Sequence, residues 1–594
     1  MKETMVPLFA VVLCAVASQV CLAQEGRPFA EWAPSDTWAA TDALGRALPT
    51  AKEAGPRREG KYVAIFYWTW HVDGNVAIEP VNIQMTTQRY PEAVNDFEHP
   101  VWGRVGTRPY WDEPLFGFYR ATDPWVLRKH AEMLADAGVD AIIFDATNGS
   151  LTWKNSYEVL FPVLEKARAD GVRTPKFAFM LPFGPSGDSL VSVKQLYKDV
   201  YEPGLFKDLW FMWKGKPLIM AYPDNVPEPI KSFFTFRPGQ PVYRTGPTRP
   251  DHWGWLEIYP QHGFCKTDGK FEQVTVGVAQ NATDKLWPAA MNDTEEVYGR
   301  GYTVKAGPNH SPDAVAQGLN FQEQWSRAFE LDPELIFITG WNEWIMGRYK
   351  VWQQTKNAFP DQFNDEYSRD TEPMRGGFGD NYYCQLVANV RRFKGVSAPI
   401  PVSAETTIRV DGKFDEWAGV RPEYKDHISD TMPRNHPGCG QQRVYTNASG
   451  RNDVILSKVA SDPQKVCFYA KTAAELTKPE GPHWMMLLID WDRNKATGWQ
   501  GYEFVINRQA PGEQAILEWS ANEWKWTECG RLEWAASGNE IELSVPLDYL
   551  GNADAKLNFE FKWVDNMVHP GDIMDFYQYG DAAPGGRFNY VFEE

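Results

Sequence analysis

One short segment of the chain places a carboxylate and an amide directly after a strongly apolar run. It follows residues 335–338 and reads Thr339-Gly340-Trp341-Asn342-Glu343-Trp344. A glutamate can act as acid, base or nucleophile, and an amide can orient the hydroxyl groups of a ligand. The two Trp rings either offer a flat face to a ligand or raise the pKa of Glu343 by excluding water. We predict that Glu343 is a catalytic residue; the alternative is a solvent-exposed carboxylate in a loop.

Acid/base chemistry by carboxylates usually requires a second acidic group. The first candidate is Asp145, which ends a predicted strand in the segment Phe144-Asp145-Ala146-Thr147-Asn148. Its alternative role is to cap the turn that follows. The second candidate is Glu257, whose alternation with Leu256 and Ile258 predicts a side chain at the site or in a buried ion pair.

Other side chains near the same strand ends can contact a ligand. His71 follows an aromatic strand and can hydrogen-bond a hydroxyl group or transfer protons near neutral pH. The segment 365–374 holds four carboxylates and an arginine, which predicts a wall of the site; a calcium site and a salt-bridge network are the alternatives. The predicted ligand-binding residues are His71, Trp70, Asn148, Gln261, Trp341, Asn342, Trp344, Arg369, Asp370 and Glu372.

The composition restricts the classes of ligand. Aromatic residues make up 14% of the chain, more than packing requires, and flat aromatic faces are what sugar rings stack on. The formal net charge of −18 opposes nucleic acid and anionic membranes as partners. The sequence contains no glycine-rich phosphate loop, no GxSxG and no HExxH. We therefore predict a glycan ligand and no organic cofactor.

The elements that position these residues follow an α/β pattern between residues 61 and 395. Short β-branched and aromatic runs alternate with helical patterns, such as the one that Asp123 and Pro124 open, and this alternation predicts parallel β-α units. We expect a (β/α)8 TIM-type barrel, with an open α/β sheet as the alternative. The predicted strands are 61–70, 140–145, 175–181, 217–222, 232–237, 253–258, 273–280 and 335–341.

In a barrel of this kind the carboxyl ends of the strands converge on one face, which carries the active site. Glu343 and Asp145 both follow strand ends, so we expect them to lie on that face. Residues 396–404 form a predicted linker, because the helical pattern breaks and prolines appear. Residues 405–594 contain short alternating runs separated by turn residues, which predicts an antiparallel β-sandwich domain.

The Asn342-Glu343-Trp344 motif after the last predicted strand resembles the glycoside hydrolase family 99-like and WbsX-like proteins. Their loop typically runs Asn-Glu-Trp, one residue, then Glu-Gly. The resemblance implies that Glu343 stands at the family's first catalytic Glu. Met346 stands where the second Glu is expected, and a methionine cannot transfer protons. A second carboxylate must therefore come from elsewhere, and the family's α-mannoside specificity does not carry over.

Two segments of the C-terminal half, 410–417 and 488–499, resemble family 9-like carbohydrate-binding modules. The second segment has Asp490, Asp492 and Asn494 at D-x-D-x-N spacing, which favours either a calcium site or a β-hairpin turn. Its Trp residues, with one just before it, either line a sugar-binding face or fill the core of the sandwich. They are Trp484, Trp491 and Trp499.

Residues 1–23 are typical of a secretory signal peptide, with a basic start, an apolar run and a small residue before Gln24. We predict a secreted or periplasmic protein with an N-terminal extension at 24–60 before the barrel. Outside the signal an odd number of cysteines remains, so at least one is unpaired within the chain. They are Cys265, Cys384, Cys439, Cys467 and Cys529.

These observations predict an exported glycoside hydrolase that cleaves a polysaccharide or complex glycan through Glu343 and either Asp145 or Glu257. The alternative from another class is a non-catalytic glycan-binding protein built on a hydrolase-like barrel. The presence of Met346 favours this alternative. A lyase or a glycan-assembling transferase is a third interpretation, although an exported protein has no evident supply of nucleotide-sugar.

Overall fold

The computed structural model describes residues 34–72, 74–76, 79–440, 443–551 and 556–594, so the predicted signal peptide lies outside the described residues. The first half of the chain consists of β-α units. Its strands are β1 Tyr62–Tyr67, β2 Ala141–Asp145, β3 Lys176–Met180, β4 Met212–Trp213, β5 Lys216–Ile219, β6 Thr235–Phe236, β7 Phe264–Thr267, β8 Lys270–Gly277, β9 Leu335–Thr339, β10 Tyr349–Trp352 and β11 Thr355–Ala358. Its helices are α1 Ala51–Ala54, α2 Ile83–Arg89, α3 Pro124–Asp136, α4 Lys154–Ala169, α5 Gly187–Leu196, α6 Ile230–Phe233, α7 Ala314–Gln317, α8 Leu319–Leu331 and α9 Asn381–Lys394.

The central sheet has the order β3-β2-β1-β9-β8-β7, and all its neighbours run parallel except the hairpin of β7 and β8. The strands β1, β2 and β9 are almost entirely buried and mostly apolar, as expected of parallel strands that are covered on both faces. The structure thus confirms the first, second, third, seventh and eighth predicted strands.

Parallel pairing continues beyond β3 but does not close into a ring. Single bridges join Met180 to Met220 and Gly239 to Trp253, and β5 pairs with β6. Between Trp253 and β8 the gap is spanned by a side chain: the Gln273 amide bonds the backbone N–H and carbonyl of Gly254 at 2.9 and 3.0 Å. The parallel β-α architecture is confirmed, whereas the strands of a closed (β/α)8 ladder are not all present.

Two predicted strands are wrong in detail. Residues 232–237 begin as the last turn of α6 and give only the two-residue strand β6, whereas residues 253–258 form a loop after a single bridge at Trp253. The carbonyl of Trp255 accepts the hydroxyl groups of Thr275 and Thr339 instead of a strand N–H. Side-chain partners therefore replace a backbone ladder at this position.

Helix α3 begins as its sequence predicts. The Asp123 carboxylate accepts the backbone N–H of Trp125, Pro124 occupies the first turn, and Gly138 follows the helix with φ of 73°. The predicted helix over 312–331 is interrupted at Gly318, which has φ of 65° and separates α7 from α8. A Cβ atom there would lie 2.0 Å from the Gln385 side chain, so only glycine fits this close approach.

The C-terminal half is antiparallel. Its strands are β12 Tyr424–Lys425, β13 Arg434–Pro437, β14 Val444–Asn447, β15 Val454–Ser461, β16 Lys465–Thr472, β17 Met486–Asp490, β18 Phe504–Ile506, β19 Ala515–Trp519, β20 Thr527–Leu532, β21 Trp534–Ser537, β22 Glu540–Pro546, β23 Asn558–Asp565, β24 Asp581–Ala583 and β25 Tyr590–Glu593, with helix α10 Leu547–Leu550. One sheet has the order β12-β15-β16-β22-β21 and the other β20-β19-β18-β17-β23-β24, with β25 beside β23. The sheets pack through Phe468, Phe559 and Phe561, whose rings lie 5.6 to 5.9 Å apart across the interface.

The two halves share a buried interface. Arg434 donates to the carboxylate of Asp123 at 2.8 Å, and Arg587 pairs with Asp380 at 2.7 Å. The hairpin of β13 and β14 places Tyr445, whose hydroxyl accepts the Phe118 N–H at 2.8 Å. Charged pairs across this junction are almost fully buried, so the sandwich is held against α3 and α9 rather than only tethered by residues 396–404.

The cysteines and the helices complete the description of the fold. None of the cysteines that the structure describes forms a disulfide, and this includes the group Cys439, Cys467 and Cys529. Over the described ranges, no helix combines the length and apolar character needed to cross a membrane.

Candidate active site

The candidate site lies at the carboxyl ends of the parallel strands. Glu343 follows β9, and the segment 369–372 runs beside the residues that lead to it. Backbone N–H groups of Gly340, Thr371 and Glu372 form bonds of 3.0 to 3.1 Å between the two segments. The long connection after β9 therefore folds back and places its own charged side chains against Glu343.

Glu343 is a buried carboxylate with defined partners. Its Oε2 atom accepts Nε2 of Gln362 at 2.8 Å and Nη2 of Arg369 at 2.9 Å. Burial raises the pKa of Glu343 well above its usual range; Arg369 opposes this effect, whereas Asp361 and Asp370 add to it. A raised pKa favours the protonated form of the carboxyl group, which is the form that a general acid needs.

Arg369 joins Glu343 to a second carboxylate, Asp361. Its Nη2 atom donates to Oε2 of Glu343 at 2.9 Å and to Oδ1 of Asp361 at 3.1 Å. Because both oxygens contact one nitrogen, they lie no more than about 6 Å apart. The Asp361 side chain is 35% exposed, so this carboxylate faces solvent while Glu343 does not.

The guanidinium of Arg369 also has unused donors. Its buried Nε and Nη1 atoms have no acceptor among the residues that the structure describes. The backbone N–H of Arg369 donates to Oε1 of Gln362 at 2.7 Å, so Gln362 fixes both the arginine and Glu343. Buried donors without a protein acceptor are available to the oxygen atoms of a ligand.

Asp145 lies at the end of β2, close enough for the charge of Asp361 to act on it. Its Oδ1 atom accepts the N–H and the hydroxyl group of Thr147 at 3.0 and 2.7 Å. Burial raises the pKa of Asp145, the bonds from Thr147 lower it, and Asp361 raises it further. Asp145 therefore caps the turn after β2, and its carboxyl group also lies close enough to Asp361 for the two charges to interact.

Half-buried aromatic rings border the same strand ends. Trp255 lies 5.5 Å from Phe183 and 5.9 Å from Tyr243, and Tyr243 lies 6.4 Å from Trp287. Burial raises the pKa of Tyr243, Asp361 raises it further, and Arg369 lowers it, so its hydroxyl group is near this ion pair. We call Phe183, Tyr243, Trp255 and Trp287 the aromatic wall.

Other predicted site residues serve the packing around Glu343. Asp370 accepts the Glu343 N–H at 2.5 Å and Nε1 of Trp111 at 2.7 Å, and burial raises its pKa to about 7. Glu372 is fully buried and contacts His130 at 2.8 Å and Nε1 of Trp344 at 2.5 Å. Both carboxylates orient the segment that carries Glu343.

The predicted Trp and Asn contacts beside Glu343 are turned into the core. Trp344 stacks on Trp111 at 4.6 Å, and Trp341 lies edge-on to His130 at 5.5 Å. The Asn342 amide accepts the N–H of Trp68 and donates to its carbonyl group. These side chains connect the ends of β1 and β9, and the aromatic wall takes the more exposed position.

The structure places Glu257 and Gln261 together, with contacts that do not reach Glu343 among the described residues. Glu257 accepts the His262 N–H at 2.6 Å and lies 3.2 Å from its ring. Burial raises the pKa of Glu257, and the bonds from His262 lower it. Gln261 is fully buried and donates to Gln324 at 2.8 Å.

The remaining predicted residues follow β1 and β2. His71 is buried, and burial together with His130 lowers its pKa to about 3, so its ring is neutral. Neither ring nitrogen has a partner within the described part of the chain. Trp70 packs against Trp153 at 6.2 Å and under Arg108 at 4.9 Å, whereas Asn148 is exposed in the turn after β2.

In the sandwich, the D-x-D-x-N segment forms a tight turn. Oxygens of Asp490, Asp492 and Glu503 lie within 4.8 Å of one another, and the Lys495 ammonium group bonds Asp490. The oxygen of Asn494 accepts the N–H of Ala496 within the turn. Of the Trp residues nearby, Trp484 and Trp499 are buried in the core, and Trp491 is half-exposed against Phe559.

Comparisons with known proteins give little beyond this geometry. No protein-family model matches the chain, and no curated protein does. Two solved structures of a GH99 endo-alpha-mannosidase from Bacteroides thetaiotaomicron, one in complex with BIS-TRIS-propane, are 15% identical to it. The matches cover 56% and 57% of this chain and 98% and 99% of those chains, with TM-scores of 0.35 and 0.34. At these scores the likeness carries no conclusion about the site.

Several residues of the site are not among those predicted from the sequence. Asp361 and Gln362 lie in the long connection after β9, and only their position in that connection could have indicated them. Tyr243 and Trp287 lie in loops that no strand prediction connected to Glu343. Trp255 was assigned to a predicted strand, whereas it belongs to the aromatic wall.

Proposed function

We propose that this protein is a glycoside hydrolase in which Glu343 supplies the proton to the departing sugar oxygen. The single observation that carries the proposal is the buried Glu343 joined through Arg369 to the more exposed Asp361. Two carboxylates with different surroundings are the arrangement that allows one to remain protonated while the other is ionised. Glycosidic bond hydrolysis uses such a pair.

The second role falls to Asp361, with Asp145 as the alternative partner. Carboxyl groups lie roughly 5 to 5.5 Å apart in retaining enzymes and 6.5 to 9.5 Å apart in inverting ones. The limit of about 6 Å between the two oxygens bonded to Arg369 is compatible with the retaining arrangement. In that case Asp361 attacks the anomeric carbon while Glu343 protonates the leaving oxygen. Water then releases the sugar, with Glu343 acting as base.

The surroundings supply ligand contacts suited to a sugar. The aromatic wall offers flat, partly exposed apolar faces. The antiparallel sandwich, held against α3, would keep a bound polymer near the site. Export through residues 1–23 would bring the enzyme to extracellular glycans.

The test is reducing-end release from a panel of plant, algal and microbial polysaccharides, with Glu343→Gln beside the native protein. We expect a loss of about 10²- to 10⁴-fold in turnover, since general acid catalysis contributes that much. The matched control is Glu334→Gln, a partly exposed glutamate just before the other end of β9 that pairs with Lys214 at 2.9 Å. Equal turnover by native protein and Glu343→Gln would rule out the assignment.

A second candidate function is glycan binding without catalysis. It is favoured by Met346, a buried side chain that stands where the related hydrolases are expected to carry a carboxylate. Affinity for a glycan of the same panel, with no product from either protein, would support this function. Loss of that affinity on replacing Trp255 with alanine would then place the binding on the aromatic wall.

A further inference from the structure

A group of buried carboxylates lies between the two halves of the protein. Asp426 follows β12, Asp430 lies in the next turn, Asp453 precedes β15, and Asp581 begins β24. Their exposed fractions are 7%, 8%, 9% and 3%. Side-chain oxygens of Asp426, Asp430 and Asp581 lie within 4.8 Å of one another. We call these four residues the acidic interface cluster.

Most oxygens of this cluster have no hydrogen-bond donor in the described part of the chain. Both oxygens of Asp426 and the Oδ1 atoms of Asp430, Asp453 and Asp581 are buried and without a partner. The other oxygens of Asp453 and Asp581 accept the backbone N–H groups of Ser429 and Val454 at 2.8 and 2.6 Å. Those bonds fix the two side chains, and the second oxygen of each carboxylate has no donor among the described residues.

Nearby cations do not balance these charges. The Lys129 ammonium group is 3.8 Å from Asp430 and also serves Glu132 at 3.6 Å. Lys562 donates to the Pro584 carbonyl; burial lowers its pKa to about 7, and the charges of Asp426 and Asp581 oppose this, so one lysine faces two of the four carboxylates. His427, next to Asp426, pairs with Asp136 at 3.1 Å. Ionised carboxylates this close, with so little compensation, repel one another strongly.

The cluster also borders a cavity. A space of about 40 Å³ lies between α3 and the sandwich, and two members of the cluster, Asp430 and Asp581, line it together with Lys129 and Glu132. One water needs roughly 10 to 15 Å³ by the same measure, so the space can take an ion with a water. All the available ligand atoms are carboxylate oxygens, which suit a hard cation that accepts six to eight oxygen ligands.

We infer that the acidic interface cluster binds one Ca²⁺ ion on the side of the sandwich that faces α3. Asp426, Asp430 and Asp581 supply the ligand oxygens, and Asp453 lies just before β15 beside them. The ion neutralises the repulsion within the cluster and so stabilises the packing of β12, β15 and β24 against one another.

The test uses the full chain after removal of metal with EDTA. Calcium titration by calorimetry, with bound metal counted by mass spectrometry, should show one more ion in the native protein than in Asp426→Asn or Asp581→Asn. The matched control is Asp462→Asn, a buried sandwich carboxylate whose oxygen already accepts Gln464 and Lys465 N–H groups. It should keep the native number of ions.

Thermal unfolding gives a second readout, because the difference in melting temperature between Asp426→Asn and the native protein should change sign between EDTA and Ca²⁺. In Ca²⁺ the native protein should melt several degrees above its EDTA value, because binding to the folded state alone stabilises it. Asp426→Asn should melt above the native protein in EDTA, since it removes repulsion, and below it in Ca²⁺. A native protein that binds no Ca²⁺, or variants with the native number of ions, would overturn the inference even if the variants fold poorly.

Discussion

At the scale of single residues, the candidate site depends on Arg369. Its Nη2 atom holds Glu343 and Asp361 at 2.9 and 3.1 Å, so a change at either carboxylate acts on the other. Asp361 raises the pKa of Glu343 and of Asp145, so its charge acts on both of these carboxyl groups. The choice between Asp361 and Asp145 as second catalytic group is therefore open to a direct comparison.

We expect Asp361→Asn to lower turnover at least about 10²-fold, as loss of a catalytic carboxylate does. Asp145→Asn is the matched variant, with the same loss of charge at the end of β2, and should retain most activity. Both variants also remove a negative charge near the site. In Asp361→Asn the pKa of Glu343 falls, so the alkaline limit of the remaining activity should move to lower pH. The pH profile of kcat/KM checks both points, and the opposite ranking would assign the role to Asp145.

At the scale of elements, the start of α3 connects the two halves of the protein. Asp123 caps the helix through Oδ1 and pairs with Arg434 through Oδ2 at 2.8 Å, and both side chains are at least nine-tenths buried. One residue thus ends a loop, begins a helix and anchors β13. Its loss leaves the Arg434 charge buried without its partner.

Asp123→Ala should lower the free energy of unfolding by about 3 kcal/mol or more, since breaking a buried ion pair costs about 3–5 kcal/mol and a lost cap about 1. Asp123→Asn keeps an acceptor for the cap and should cost less. Urea unfolding monitored by tryptophan fluorescence measures both. Equal stability of Asp123→Ala and the native protein would show that the junction through β13 contributes little.

At the scale of the whole molecule, the contacts between the halves link folding to pH. His427 lies in the sandwich and Asp136 ends α3, with 3.1 Å between their side chains. Burial alone would lower the pKa of His427, but Asp136 and Glu132 raise it to about 9. Because the folded pKa exceeds the value near 6.5 of an unfolded histidine, protonation stabilises the folded state.

This stabilisation should be complete below about pH 6.5 and should disappear as pH rises through about 9. The native protein is expected to lose stability across that interval, whereas His427→Gln should show a flatter dependence over the same range. Chemical denaturation between pH 6 and 10, in EDTA to separate the effect from metal binding, measures the difference. Parallel profiles for the two proteins would contradict the assignment to His427.

The sequence by itself determined the local features of this protein. Strand periodicity located β1, β2, β3, β8 and β9 in the first half, and the Asp123-Pro124 pair located the start of α3, because these signals depend on neighbouring residues. It also placed Glu343 beyond the end of β9. The linker and the alternating runs indicated a second, antiparallel half.

Only the tertiary structure decided which distant residues meet. Asp361, Tyr243 and Trp255 are brought to Glu343 by loops whose paths depend on long-range contacts, such as the Gly340 and Arg369 backbone bond. Trp341 and Trp344 carry the same aromatic signal as Trp255, yet packing turns them into the core. The acidic interface cluster likewise assembles residues from 426 to 581, and no spacing along the chain reveals it, because its charges become neighbours only when the sandwich itself folds.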